Sequence, residues 1–193
     1  MNTPGPEVEA EKMTLLNNYL FTSRRLGFRP WTLDDLEEFA ALNADPAVMK
    51  FFPKPLRREE SAEFLERLFD HYAKHGYCYF AVELLETGEF IGFTGLAYQT
   101  FDSEFTPATD IGWRLKRRAW GKGYATEGAK RCIQYAFEDL KLNKIISTCP
   151  KLNHRSERTM QKIGMVKMGE FDHPRLQEFP KLQSCVWYEL VKG

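Results

Sequence analysis

The sequence has no apolar run approaching the roughly 18 residues that a membrane-spanning helix needs. It has no C-x-x-C pair, and Cys78, Cys132, Cys149 and Cys185 lie far apart with no secretory leader before them. These absences predict a soluble, cytoplasmic chain with reduced thiols. Net charge is also missing: 27 basic and 27 acidic residues cancel. No global field therefore draws the protein to nucleic acid or to an anionic membrane. Of the four histidines only His71 and His75 share a helical spacing, with Lys74 between them and no third ligand nearby, so no metal is expected. Internal repeats and low-complexity segments are absent as well.

What is present is core material. Hydrophobic residues make up 43% of 193, among them 15 Phe, 8 Tyr and 4 Trp. That length and content predict one folded domain. Residues 1–18, opening with a polar stretch that holds Pro4 and Pro6, read as a mobile N-terminal tail with Met13 as a native start. Leu26-Gly27-Phe28-Arg29 reads as a first strand ending at Pro30, and Thr32 as the N-cap of a helix stopped by Asp45-Pro46. A second helix is expected over Arg58 to Lys74, closed by Gly76. Strands at Tyr77 to Leu84 and Glu89 to Ala97 form a hairpin, and a polar stretch, Gln99 to Ala108, leads to a strand over Thr109 to Leu115. A long helix from Gly121 to Lys141, a strand Lys144 to Cys149, a helix Asn153 to Ile163 and strands near Val166 to Phe171 and Gln183 to Val191 follow. Early meander strands followed by β-α-β crossovers imply an α/β mixed sheet with helices on both faces.

Charge is local. Arg114, Lys116, Arg117, Arg118, Lys122, Lys130 and Arg131 face one acid, Glu127, a segment of +6 that the rest of the chain balances with −6. Inside it, Arg118-Ala119-Trp120-Gly121-Lys122-Gly123-Tyr124-Ala125 joins a strand to a helix. The first turn of a helix offers unpaired N–H groups and a partial positive charge to phosphate oxygens. The glycines let an anion approach, and Arg118 and Lys122 add full charges. A solvated helix face is the alternative use of such a run. Walker A spacing fails because Gly123, not Ser or Thr, follows Lys122; dinucleotide spacing fails at Thr126.

Arg118-x-x-Gly121-x-Gly123 resembles the pyrophosphate loop of the GNAT superfamily of acyl-CoA-dependent N-acetyltransferases, and Ala119 to Glu127 resembles its RimJ/RimL-like branch. Asn153-x-x-Ser156 with Lys162-Ile163-Gly164-Met165, and Arg25-Leu26-x-x-Arg29-x-Trp31 with Asn43-x-Asp45-Pro46, resemble the same branch. The resemblance spans Leu20 to Leu190. It implies that residues 19–193 form one acyl-CoA N-acyltransferase domain: a twisted, mostly antiparallel seven-stranded sheet with splayed middle strands and four helices on both faces.

The resemblance further implies acetyl-CoA as cosubstrate. Its pantetheine would lie along Ile111 to Lys116, where a bulge splays the strands, with Trp113, Leu115 and Lys116 as contacts. Its pyrophosphate would meet Arg118, Trp120, Gly121, Lys122, Gly123, Tyr124 and Ala125. Asn153 and Ser156 would lie beside the pantetheine and the sulfur, although Asn153 can equally serve as a helix cap. Backbone amides near Trp113 to Leu115 are the expected oxyanion donors. Many relatives carry a Tyr seven residues after the Asn; here that residue is Met160, which leaves Ser156 to protonate the thiolate. Asp110 is the candidate base, with Glu104, Asp172 and His173 in neighbouring loops. The implied acceptor is a primary amine: a protein N-terminus, polyamine, amino acid or antibiotic. The alternative is a non-catalytic acyl-CoA-binding regulatory module. A monomer or homodimer is expected.

Overall fold

The computed structural model describes residues 18–193. The tail expected over residues 1–18 thus falls, but for its last residue, outside the described residues. The strands are β1 (Phe21–Thr22), β2 (Leu26–Arg29), β3 (Tyr79–Leu84), β4 (Phe90–Gln99), β5 (Ala108–Leu115), β6 (Lys144–Pro150), β7 (Val166–Asp172) and β8 (Ser184–Val191). The helices are α1 (Leu36–Ala44), α2 (Arg58–His75), α3 (Tyr124–Gln134), α4 (His154–Lys162) and a single turn, α5 (Pro180–Gln183). One sheet runs in the order β1-β2-β3-β4-β5-β6-β8-β7, antiparallel at every contact except β5–β6.

The mixed α/β sheet expected from the sequence is therefore observed, with eight strands in place of seven and five helices in place of four. The additions are β1 and α5, elements of two and four residues, too short to display any period. The long helix also differs. It begins at Tyr124 rather than Gly121, because Gly121 and Gly123 take φ of +75° and +83°, outside helical space. Beyond Gln134 it widens into a π-helical turn, Tyr135–Asp139.

The sheet has two dressed faces. Phe39 of α1 and Phe64 of α2 pack on Phe93 of β4, on the same face as Arg114 of β5. On the opposite face Gly128 of α3 sits over Thr94, where a Cβ would come within 3.3 Å of the Thr94 hydroxyl. Phe28, Phe39 and Phe80 are fully buried in the main core. The stretch read as polar, Gln99 to Ala108, contributes a second cluster: Phe101 and Phe105 stack with Phe171 and Trp187 over Ile146. Two aromatics in a hydrophilic loop give no periodic signal, yet their burial fastens that loop to the β6–β8 half of the sheet.

Candidate active site

The sheet is continuous except at one seam. β5 and β6 pair only at Asp110–Ile146, so β5 continues beyond that point with an edge free of β6. Which groups face the gap follows from the alternation of a strand. The Lys116 amide donates to Ile91 on β4, so Trp113 and Leu115, at odd spacing from it, turn their N–H and C=O toward the gap. Two carbonyls there are already engaged. Ser147 Oγ donates to Ile111 O at 2.9 Å, and the Trp120 indole N–H donates to Leu115 O at 2.8 Å. The amides of Trp113 and Leu115 and the carbonyl of Trp113 are the groups left along this stretch. The register shift adjoining this region lies between β3 and β4, at Val82/Glu83; β4 and β5 stay in register throughout. The expected bulge is thus one strand removed from the splay.

The edge ends at the glycine loop. At Gly121 a Cβ would meet nothing within 4 Å, and at Gly123 only the Arg25 guanidinium, 3.5 Å away. The positive φ angles are what demand glycine here, and the space outside them is open. Glu127, one turn into α3, accepts from the Ser23 hydroxyl, the Arg25 amide and the Arg25 Nε, each at 2.7 Å. These bonds hold its carboxyl below the usual range against the opposing effect of burial. Arg25 in turn lies over the Tyr124 ring at 4.4 Å, so β1–β2 and the start of α3 are locked together. Ala125 follows within the first turn of α3.

The basic run divides. Arg114 is buried, Lys116 pairs with Glu38, Arg118 pairs with Glu89 at 2.5 Å, and Arg131 donates to Thr22 O. Arg117, Lys122 and Lys130 carry no ion pair among the described residues. Between α1 and this loop lies a cleft of about 810 Å³ whose lining includes Glu38, Leu42, Lys116, Arg118, Trp120 and Arg155. Arg155 stands over the Trp120 ring at 5.0 Å. It was missed in the sequence, although it lies between Asn153 and Ser156.

Asn153 does cap α4: its Oδ1 accepts from the Ser156 amide at 3.3 Å, which leaves its Nδ2 free to donate. The Cys149 thiol donates to Asn153 O at 3.8 Å, and burial pushes it up to about 12. Met160 is fully buried.

Asp110 lies on the face that carries α1 and α2. The Tyr79 hydroxyl donates to its Oδ1 at 2.7 Å and to its Oδ2 at 3.0 Å, and Gln99 Nε2 donates to Oδ2 at 3.2 Å. Burial raises its carboxyl to about 6 despite these donors. Arg114, on the same face, gives Nη1 to Asn43 Oδ1 and is ringed by Phe52, Phe64 and Phe93, with Nε unpaired. Tyr79, Gln99 and Arg114 had no motif to mark them. The other acid–base candidates are placed differently. His173 stacks on Phe101 at 4.5 Å and accepts from the Arg175 amide, while Glu104 is exposed and Asp172 ends β7. His71 spends its Nε2 lone pair on the Tyr98 amide.

A free strand edge, a helix-start anion loop and a half-buried carboxylate near the seam together suit an acyl-CoA thioester and an amine. The family model described as acetyltransferase (GNAT) domain matches residues 25–166. Over 151 residues, 78% of this chain and 84% of the relative, the sequence is 32% identical to the uncharacterized N-acetyltransferase YnaD of Bacillus subtilis (strain 168). Among solved structures, the acetyltransferase (GNAT family) from Bacillus anthracis is 27% identical, with a TM-score of 0.71 over 88% of this chain and 96% of that one. Spermidine N-acetyltransferase from Vibrio cholerae, solved in complex with CoA and spermine, shares the fold: 20% identity, TM-score 0.67, 86% of this chain and 95% of that one. The chain belongs to the RimJ/RimL-like branch of the GNAT superfamily and is an acetyl-CoA-dependent N-acetyltransferase.

Proposed function

We propose that the protein transfers acetyl from acetyl-CoA to a primary amine, a protein N-terminus or a small-molecule amine, by direct attack in a ternary complex at the β5–β6 seam. The observation that carries this reading is the unpaired edge of β5, which leads through one turn, Arg117–Ala119, into the Gly121–Gly123 loop. Acetyl-CoA supplies the activated acyl group; the chain supplies place and protons. Amides from Arg118 to Ala125 receive the pyrophosphate, with Arg118 and Lys122 as counter-charges and Trp120 at the turn. Trp113 and Leu115 offer backbone groups to the pantetheine, Lys116 lines its entry, and Asn153 Nδ2 is free for a pantetheine carbonyl.

Asp110 takes the proton from the acceptor ammonium, freeing the nitrogen lone pair to form the new C–N bond. The β5 amides near Trp113 to Leu115 hold the carbonyl oxygen as it gains charge. As the C–S bond breaks, the former amine nitrogen releases its surplus proton to solvent, and Ser156 supplies a proton to the leaving sulfur, directly or through water, and regains one from solvent. Holding both reactants at the seam provides much of the acceleration. An acceptor of net positive charge suits a chain that is −6 outside the basic segment. A monomer or homodimer in the cytoplasm accords with four free cysteines.

The test offers acetyl-CoA with a panel of a peptide amine, a polyamine, an amino acid and an aminoglycoside, and reads acetylated amine and free CoA by mass spectrometry. Turnover is expected with at least one class, falling about 10²-fold or more in Asp110→Asn or Ser156→Ala while acetyl-CoA affinity stays within a few fold. Tight acetyl-CoA binding without product from any acceptor would point instead to a regulatory acyl-CoA-binding module.

A further inference from the structure

Gly112 sits beside Gly95 in the cross-strand row that also contains Tyr79, and the Tyr79 ring lies across this bare stretch of sheet. A Cβ on Gly112 would come within 3.0 Å of Tyr79 Cε1. Phe93 stacks on the ring at 5.4 Å with planes 25° apart, so its direction is fixed. The phenol reaches two residues along β5, to the next position on the same face, and spans both oxygens of Asp110. Gln99 donates to Oδ2. The phenol carries a single hydrogen and lies nearer Oδ1, so Tyr79 and Gln99 take about one acceptor site on each oxygen and Oδ1 keeps a lone pair.

We propose that Tyr79 is a positioning residue for the acceptor-side base: its O–H, aimed across Gly112, fixes the Asp110 carboxylate so that Oδ1 presents its remaining lone pair to the acceptor ammonium. The proposal rests on the reading of Asp110 as that base. Tyr79 remains a donor over the working range, because burial and the Asp110 charge hold its phenol well above the ordinary tyrosine value. The groups facing Asp110 are few. Tyr79 comes from β3 and Tyr77 from the segment just before it, Gln99 from β4 and Arg114 from β5 itself, while the β6 partner, Ile146, is apolar. Tyr77 is occupied with the Thr109 hydroxyl at 2.9 Å, and Arg114 with Asn43. Tyr79 and Gln99 are therefore the side chains that stabilise the ionised form directly, and both lower its pKa against burial.

Tyr79→Phe keeps the ring, the Phe93 stack and the Gly112 contact and deletes only the donor. In the full chain, the acid limb of kcat/KM should move up by about one to two pH units. Turnover should fall about two- to tenfold at pH 7 and approach the parent near pH 9, with the KM for acetyl-CoA within about twofold. Adding Tyr79→Phe to Asp110→Asn should change the residual rate little, since the donor would act only through the carboxylate. A pH-independent loss, or equal losses in the presence and absence of Asp110, would overturn the assignment and make Tyr79 a packing residue. Full activity in Asp110→Asn is the separate result that removes the base reading itself.

Discussion

Between β4 and β5 eight residue pairs run unbroken from Gly92–Leu115 to Gln99–Ala108, whereas β5 meets β6 at one. The same strand is thus core on one edge and, in the proposed reading, site on the other. On the closed edge every backbone group that faces a neighbour has a ready partner, and the adjoining surfaces carry the buried aromatics. On the open edge the chain satisfies two carbonyls with side chains, Ser147 and Trp120, and leaves the remaining groups for a ligand. A buried backbone polar group without a partner is costly, which is why the open edge supports the proposed placement of the cofactor there.

The sharpest way to break this comparison is to add one methyl on each side of it. At Gly95, in the closed region, a Cβ would lie 2.2 Å from Cys78 O and 2.7 Å from Tyr79 Cα, with backbone as the obstacle. Gly95→Ala should cost about 3 kcal/mol or more, seen as a large drop in thermal midpoint or loss of folded protein. At Gly121, beside the open edge, the methyl meets nothing and only the φ of +75° is penalised. Gly121→Ala should cost about 1 kcal/mol and remain folded. Equal destabilisation of the two variants would contradict the division between packed core and open loop.

Asp110 stands at the junction of the two regions, and its charge is the next lever. The folded carboxyl is raised from 3.8 to about 6, so the unfolded chain releases this proton first as pH rises. Its contribution is most favourable below the unfolded value and is lost between roughly pH 4 and pH 6, leaving a deficit of about 3 kcal/mol above that. Asp110→Asn, which stays neutral, should therefore be more stable than the parent at pH 8 and nearly equal to it at pH 4. Denaturant titrations at the two pH values check this. A gain that is the same at both would mean that shape, not charge, separates the variants.

Legibility in the sequence followed the same division. Long periodic elements such as α2 and β4 could be read from their spacing, and the glycine loop could be read because its chemistry is local. What could not be read depends on contacts across the sheet. Tyr79 and Asp110 are 31 residues apart and meet only through the β3-β4-β5 register. Arg114 looks like one more cation in a basic run until α1 and α2 close over it. Phe101 and Phe105 lie in a polar loop and show their role only when Trp187 arrives from β8. The expected start of α3 missed because glycine is compatible with both a helix-start loop and a helix, and only the backbone angle decides.

The smallest expected effects lie on the rim of the open region, where Arg118 and Glu89 form an ion pair at 2.5 Å with both side chains at least a third exposed. On the proposed cofactor placement Arg118 trades that carboxylate for the pyrophosphate, so its net worth to acetyl-CoA is less than a free cation's. Arg118→Ala should weaken acetyl-CoA by about 1 kcal/mol and leave a pantetheine fragment, which has no phosphate, unaffected. Glu89→Gln removes the competitor and should tighten acetyl-CoA by a few tenths of a kcal/mol at low salt, a gain that fades as ionic strength shortens the screening length. Calorimetry of both variants at low and high salt separates the terms. Weaker binding in Glu89→Gln would show that the carboxylate orients Arg118 toward the phosphate instead of holding it back, and the pair would then be part of the loop's pre-organisation.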